Sequence, residues 1–364
     1  MDNWILVNAA GSLGKARLKG LLDFYQEPEQ ILKCSEEELL RTGLVDRGFT
    51  NSLRTIKKHF DLDREYKLLE KHKVKIVTVR DDNYPASLRY IDGAPILLYL
   101  AGDIIKEDIF AIGVVGTRDY TAYGKNVAAK LSGELASQGV TIVSGLARGI
   151  DTFAHQSALA AKGRTIAVLG GGIAALYPPE NRILAQEIAR HGAVVSEYPM
   201  MEQPSRISFP LRNRIISGLS LGLLVVEADV RSGSLITANC ALEQGREVFA
   251  VPGNITNEYA RGTNQLIKDG AKLVEGSQDI IEEISCLREL TTSRINTKKQ
   301  ERFSFPVDEQ ETALLDLIGN EPINIEVLGA RTGKSVNQLS NILLQLMMKE
   351  LIREMSGKNY VRTI

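Results

Sequence analysis

Residues 110–118, Phe110-Ala111-Ile112-Gly113-Val114-Val115-Gly116-Thr117-Arg118, and residues 140–151, Val140-Thr141-Ile142-Val143-Ser144-Gly145-Leu146-Ala147-Arg148-Gly149-Ile150-Asp151, carry the pattern on which the fold turns. Each opens as a short run of Val and Ile, apolar at successive positions, and then breaks into small residues. A strand that is apolar on both faces is one buried in a parallel sheet. Between the two runs, Val127, Leu131 and Leu135 recur at four-residue steps, the mark of an amphipathic helix. The same texture returns at Thr165–Leu169, Ala193–Val195, Leu221–Val226, Glu247–Val251 and Ala271–Val274. Strand–helix alternation of this kind predicts an α/β fold with an open, doubly wound, mainly parallel sheet.

Working outward, residues 1–65 read as helical, with breaks at Gly11-Ser12, Pro28 and Gly43. The stretch from Ala10 to Leu18 has two readings: a Gly-containing hairpin able to offer backbone N–H groups to a phosphate, or an ordinary helix start in a small bundle. Residues 66–109 approach the sheet, with one strand expected at Lys75–Val79 and turns at Tyr84-Pro85 and Ala94-Pro95. Residues 286–308 are polar and read as a linker. In 309–364 the spacing of Leu314, Leu317 and Ile318, then of Val336, Leu339, Leu343 and Leu346, predicts helices. A β-hairpin is expected from Leu351 to Val361, which completes the outline of a winged helix.

The chain has 364 residues, 44 basic against 45 acidic, with 44% hydrophobic and 24% charged residues. Those proportions exclude wholesale disorder. No apolar run reaches about 18 residues, so no membrane span is expected. Met1-Asp2-Asn3-Trp4 has no basic lead before an apolar stretch, so no secretory signal is expected there. Three widely spaced cysteines, Cys34, Cys240 and Cys286, suit a reducing cytoplasm better than a disulfide framework or a zinc knuckle. A net charge of −1 argues, at first sight, against a nucleic-acid partner.

The chemistry is expected at the carboxyl ends of the strands. There stand Gly116-Thr117-Arg118, Ser144-Gly145 with Arg148, Gly170-Gly171-Gly172, and Arg231-Ser232-Gly233-Ser234, each opening a helix. Small residues let backbone N–H groups approach an anion, and a helix N-terminus favours one. Arg212-Asn213-Arg214 adds two guanidiniums suited to phosphate. The dinucleotide fingerprint G-x-G-x-x-G is absent after the first strand, so no nicotinamide or flavin cofactor is expected, and no metal. Gly329 to Ser335 imitates a phosphate-binding P-loop but is one residue short and lies in a helix-turn-helix turn. Among the four histidines only His155 lies near the site, and both it and Asp151, the expected cap of the next helix, read as structural. Glu227 and Glu243 are the remaining candidates for acid–base work. A rim rich in anion donors and poor in acids and bases points to binding rather than turnover, so the chain is not expected to be an enzyme.

Read in order, these loops resemble the DNA-processing protein A (DprA, also called Smf) family. The motifs are Tyr84-Pro85-x-x-Leu88, Val114 to Arg118, Ser144 to Asp151, Thr165 to Gly170, Tyr177-Pro178, Ser196-Glu197, Phe209-Pro210-Leu211-Arg212-Asn213-Arg214, Ser232 to Ala238, Val251-Pro252-Gly253 and Gly262 to Ile267. The resemblance implies a Rossmann-like domain over 66–285, a helix-hairpin-helix or SAM-like unit over 1–65 and a winged helix over 309–364. It implies a cytoplasmic, non-enzymatic, single-stranded DNA-binding recombination mediator. Such a protein helps RecA displace single-strand-binding protein and load on incoming DNA during natural transformation. Arg118, Arg212 and Arg214 match family phosphate contacts, and Ser144, Gly145, Ser232 and Gly233 match the small residues lining that pocket. Gly116, Thr117, Arg148, Asn213 and Ser234 complete the expected DNA site. Family members often carry Lys where this chain has Pro179, a role assigned here to Arg182. Homodimerisation is expected near Asn264, Gln265, Leu266 and Ile267. The alternative class is a nucleotide-processing or nucleotide-sensing protein of the lysine-decarboxylase-like group, whose Pro-Gly-Gly-x-Gly-Thr signature is missing here.

By segment, residues 110–275 hold 16 basic and 14 acidic residues, a net of +2. Residues 309–364 hold six basic and seven acidic, a net of −1. The expected winged helix is therefore electrostatically poor as a duplex binder and better suited to a protein contact.

Overall fold

The computed structural model describes residues 1–12, 18–292, 308–319, 321–349 and 351–363. They fall into two compact units, Met1–Thr291 and Thr292–Ile364. None of the described helices is long and apolar enough to cross a membrane.

The first unit opens with helices α1 (Asp2–Ser12), α2 (Leu18–Tyr25), α3 (Pro28–Lys33), α4 (Glu36–Arg41), α5 (Arg47–His59) and α6 (Leu62–His72). Short polar residues set their starts. Ser35 and Glu38 cap α4 reciprocally, Asp46 accepts the Phe49 N–H at 2.9 Å, and Asp61 accepts the Arg64 N–H at 2.9 Å. Ile5, Val7, Leu21, Ile31 and Phe49 form a core that continues into Leu97 and Tyr99 of the sheet. Helix α6 thus crosses the boundary expected at residue 65. Most of the hairpin read at 10–18 lies outside the described residues, and α1 runs through Gly11 without a break.

The sheet has strands β1 (Val74–Thr78), β2 (Leu97–Gly102), β3 (Ala111–Val115), β4 (Thr141–Ser144), β5 (Thr165–Val168), β6 (Ala193–Ser196), β7 (Gly222–Val225), β8 (Glu247–Ala250) and β9 (Lys272–Leu273). Their spatial order is β1-β2-β6-β5-β4-β3-β7-β8-β9. From β6 to β9 every pairing is parallel, whereas β2 runs antiparallel to both β6 and β1. The approach segment therefore extends the sheet by two strands, one of which, β2, escapes the sequence reading.

Helices α7 (Ala122–Ser137), α8 (Ile150–Ala160), α9 (Arg182–His191), α10 (Ser208–Gly218), α11 (Gly233–Glu243), α12 (Arg261–Lys268) and α13 (Ser277–Glu283) cover the faces. Alternation along β3 sorts the contacts. Ile112 and Val114 pack with Leu131, Leu135, Ala154 and Ala158, while Ala111 and Val115 pack with Ile215, Ile216, Ala238 and Ala241. Residues 285–292 (α14) are helical and bury Leu287 completely against Ile280 and Ile281. The first residues of the expected linker thus belong to the domain, because an apolar side chain there completes its core. Residues 293–307 of that linker lie outside the described residues.

In the second unit, α15 (Glu309–Leu315), α16 (Ile325–Thr332) and α17 (Val336–Met348) pack through Leu314, Leu328, Leu339, Leu343 and Leu346. Strands β10 (Ile323–Asn324), β11 (Ile352–Met355) and β12 (Asn359–Arg362) pair antiparallel in the order β10-β12-β11, giving a winged helix. Gly333, at φ +68°, ends α16 and Ser335 caps α17, so the P-loop imitation is a turn between helices. Helix α17 carries no charged residue.

Candidate functional site

The chain winds outward from β3 through β4 and β5 to β6, then returns to place β7 on the other side of β3. Loops leaving β3 and β7 diverge at this reversal, and an open sheet offers its binding crevice there. A cleft of about 400 Å³ occupies it. Its walls include Gly116 and Arg118 after β3, Ala147 and Asp151 after β4, Ser232, Gly233 and Ser234 at the start of α11, and Arg206, Phe209, Arg212 and Asn213 at the start of α10.

Arg212 is a buried charge of the cleft, only 4% exposed. Its Nη1 donates to the carbonyls of Gly145 (2.8 Å) and Val168, and its Nε to Asn213 Oδ1 at 3.3 Å. Burial pulls its pKa down to about 10, opposed by the nearby Asp151 carboxylate, so the guanidinium stays charged at neutral pH. Burial pushes the Asp151 pKa up, while Arg212 and the backbone N–H groups of Ala147 (3.3 Å) and Gly145 (3.2 Å) hold it back. Asp151 therefore ties down the loop before α8 rather than capping that helix. Gly145 must lack a side chain, since a Cβ there would lie 2.5 Å from the Arg212 guanidinium. At Gly116 a Cβ would lie 2.6 Å from the Ile150 side chain.

Arg118 and Arg206 are exposed at the mouth. The Arg118 guanidinium stands 5.3 Å from the Phe209 ring centroid, a cation–π pairing that leaves its N–H fork at the rim. Ser232 Oγ accepts the Ser234 N–H at 3.3 Å and so starts α11 facing the cleft, and Asn213 Nδ2 fastens that start through the Gly233 carbonyl at 3.4 Å. Two exposed guanidiniums, one buried one and a helix N-terminus make the cleft attractive to anions, with Asp119 the exposed opposing charge.

The structure separates other expected site residues from this cleft. Arg214 lies two positions beyond Arg212, and residues so spaced do not share a helix face. It grips Glu197 through two bonds of 3.0 and 2.5 Å and donates to the carbonyls of Gly93 and Leu211. Its guanidinium is thus committed within the fold. Ser144 is fully buried and donates to the Val114 carbonyl at 2.6 Å, and Thr117 joins β3 to β7 through its N–H to the Glu227 carbonyl at 2.7 Å. Both support the loops from behind. Arg148 pairs with Glu180 beside Tyr177, and Arg182 is exposed at the start of α9, where its charge reaches His72.

Sequence reasoning passed over Arg206 and Phe209 as site residues. Neither follows a strand or a glycine, although Phe209 opens the Phe209–Arg214 motif and Arg206 lies just before it. Glu227 is buried and accepts from Thr121 Oγ1 (2.5 Å) and the Thr121 N–H (3.0 Å), clamping α7 to the sheet. His155 is fully buried with Nδ1 2.7 Å from Thr165 Oγ1. A second hollow of about 410 Å³ lies between α11 and α12, lined by Val230, Arg231, Ile236, Gln265 and Leu266 among others. Asn264 is held inside the chain by two bonds to Gly253, and Ile267 is half-buried.

Residues 75–285 match the family model for DNA recombination-mediator protein A, and residues 298–358 match that for the DprA winged helix domain. The DNA processing protein DprA of Bacillus subtilis is 47% identical over 212 residues, covering 58% of this chain and 71% of that protein. The solved DNA processing protein A of Streptococcus pneumoniae has a TM-score of 0.65 at 35% identity, covering 78% of this chain and 98% of that one. That of Helicobacter pylori, a structure concerned with its single-stranded DNA binding mode, has a TM-score of 0.52 at 32% identity, covering 59% and 97%.

Proposed function

The chain belongs to the DNA recombination-mediator protein A family, and from that premise we propose that it binds single-stranded DNA in the cleft at the sheet reversal. One observation carries this reading: Arg118, Arg206 and the buried Arg212 converge on one cleft beside an aromatic ring, Phe209. Guanidiniums neutralise phosphates, and a ring face takes an unstacked base, a combination that suits a single strand and not a closed duplex. The neutral winged helix, with its uncharged α17, contributes little to phosphate binding and is assigned to a protein contact.

On this reading residues 66–285 are the DNA-binding domain, 1–65 a helical accessory unit and 309–364 the winged helix. The protein works in the cytoplasm as a homodimer joined near Gln265 and Leu266, and hands its strand to RecA as single-strand-binding protein leaves. Binding occurs without turnover, since the Glu227 and Asp151 carboxylates are already engaged within the fold. Fluorescence anisotropy with oligo-dT, titrated with salt, tests the site. The double variant Arg118→Ala, Arg206→Ala is expected to weaken binding at least tenfold. It should also flatten the salt slope by about 0.7 for each lost phosphate contact. Unchanged affinity and slope overturn the assignment.

A further inference from the structure

Beyond the cleft, four side chains form a continuous row: Arg118, Phe209, Tyr177 and Arg148. Arg118 lies 5.3 Å from the Phe209 centroid, the Phe209 and Tyr177 rings are 6.4 Å apart at 53°, and Arg148 lies 5.6 Å from the Tyr177 centroid. Only the first two line the cleft. Tyr177 is a large ring left 44% exposed, and Arg148 touches it near its hydroxyl edge, Nη1 to Oη 3.5 Å. The guanidinium is held by the Glu180 carboxylate, with the two side chains 54% and 49% exposed.

We propose that Tyr177 and Arg148 form a second nucleotide subsite outside the cleft, in which Glu180 holds the place of a DNA phosphate. The proposal rests on the single-stranded DNA reading and extends it. The Tyr177 ring takes the base of a nucleotide that has left Phe209, because a π-face accepts any base. Its phosphate replaces the Glu180 carboxylate on Arg148. That exchange costs little, since an exposed ion pair contributes almost nothing to stability, while a guanidinium grips phosphate with two parallel bonds. Once displaced, Glu180 faces the phosphate as a like charge. It therefore sets an upper limit on affinity and eases release of the strand.

Anisotropy on the full chain, with oligo-dT of about 3 and about 12 nucleotides, tests this, the longer lying within the footprints of single-strand sites. Tyr177→Ala is expected to weaken the longer oligonucleotide roughly fivefold or more and leave the shorter unchanged, with Tyr177→Phe restoring the parent affinity. Glu180→Gln should tighten the longer one, a gain that no folding defect imitates, and adding Arg148→Ala should abolish that gain. The subsite is overturned if Tyr177→Ala binds both lengths like the parent while Arg118→Ala, Arg206→Ala weakens both. Weaker binding by Glu180→Gln overturns the phosphate stand-in. If Arg118→Ala, Arg206→Ala affects neither length, the cleft reading itself falls.

Discussion

Arg212 enters the cleft as a charge that folding has buried, and its neighbours show how that is tolerated. Two carbonyls accept from it, Asp151 balances it, and Gly145 leaves the space it fills. Gly145→Ala should push the guanidinium off these partners. We expect about 1–3 kcal/mol lost in denaturant unfolding, together with weaker oligo-dT binding. His155 feels the same charge from below. Thr165 Oγ1 donates to the Ile142 carbonyl at 2.7 Å, so it accepts from His155 Nδ1–H, and Nε2 is buried with no partner among the described residues. Burial first, then Arg212, lowers the histidine pKa from 6.5 to about 3. Between those values the unfolded chain binds a proton that the folded chain refuses, so stability falls as the pH drops through that window. Unfolding in urea at pH 7 and pH 5 should show the loss to be smaller in His155→Leu than in the parent, by about 2 kcal/mol. The structural role expected for His155 was legible from its type, whereas Asp151, expected to cap the next helix, instead ties down the loop before it. The charge both residues feel was not legible, since Arg212 lies on α10, far along the chain.

At the scale of elements, α10 explains both what sequence reading finds and what it misplaces. The motif at 209–214 locates the helix and its basic character, yet helical rotation turns Arg212 into the cleft and Arg214 toward Glu197. Arg214→Ala should cost about 3 kcal/mol by stranding a largely buried carboxylate. The folded variant should retain oligo-dT affinity within about threefold, as a group that adds no phosphate contact. Weakening to the level of Arg118→Ala, Arg206→Ala would return Arg214 to the site. The parallel strands announce themselves through Val and Ile runs between glycines. Strand β2 does not, because Leu97-Leu98-Tyr99-Leu100 lacks β-branched residues and has no alternation to separate it from a buried helical turn. Arg206 stayed hidden for a related reason: it sits in an irregular segment after β6, where no period places a side chain.

For the molecule as a whole, a net charge of −1 describes the sum and not the arrangement. Three arginines, Arg118, Arg206 and Arg212, converge on one cleft although the chain as a whole carries no basic excess. A chain ending at Thr292 retains the compact first unit. It should bind oligo-dT within about threefold of the full chain with nearly the same salt slope, if the near-neutral winged helix adds little phosphate binding as proposed. A shallower slope would place a DNA contact in that unit. The succession of helices, parallel sheet and winged helix was legible from periodicity, but the borders were not, since α6 crosses residue 65 and Leu287 completes the first core. How the helical bundle shares its core with β2 was not, since that contact joins segments that each look complete alone. The reversal of the sheet also governs when the cleft comes into being. Ile112 of β3 pairs with Gly222 of β7, so the two sides of the crevice come from segments 110 residues apart in the chain. Such long-range pairing is slow and comes late. A growing chain on the ribosome would therefore display the Arg118 loop well before it held any DNA site, and would gain that site in one step as α10, β7 and α11 close over β3.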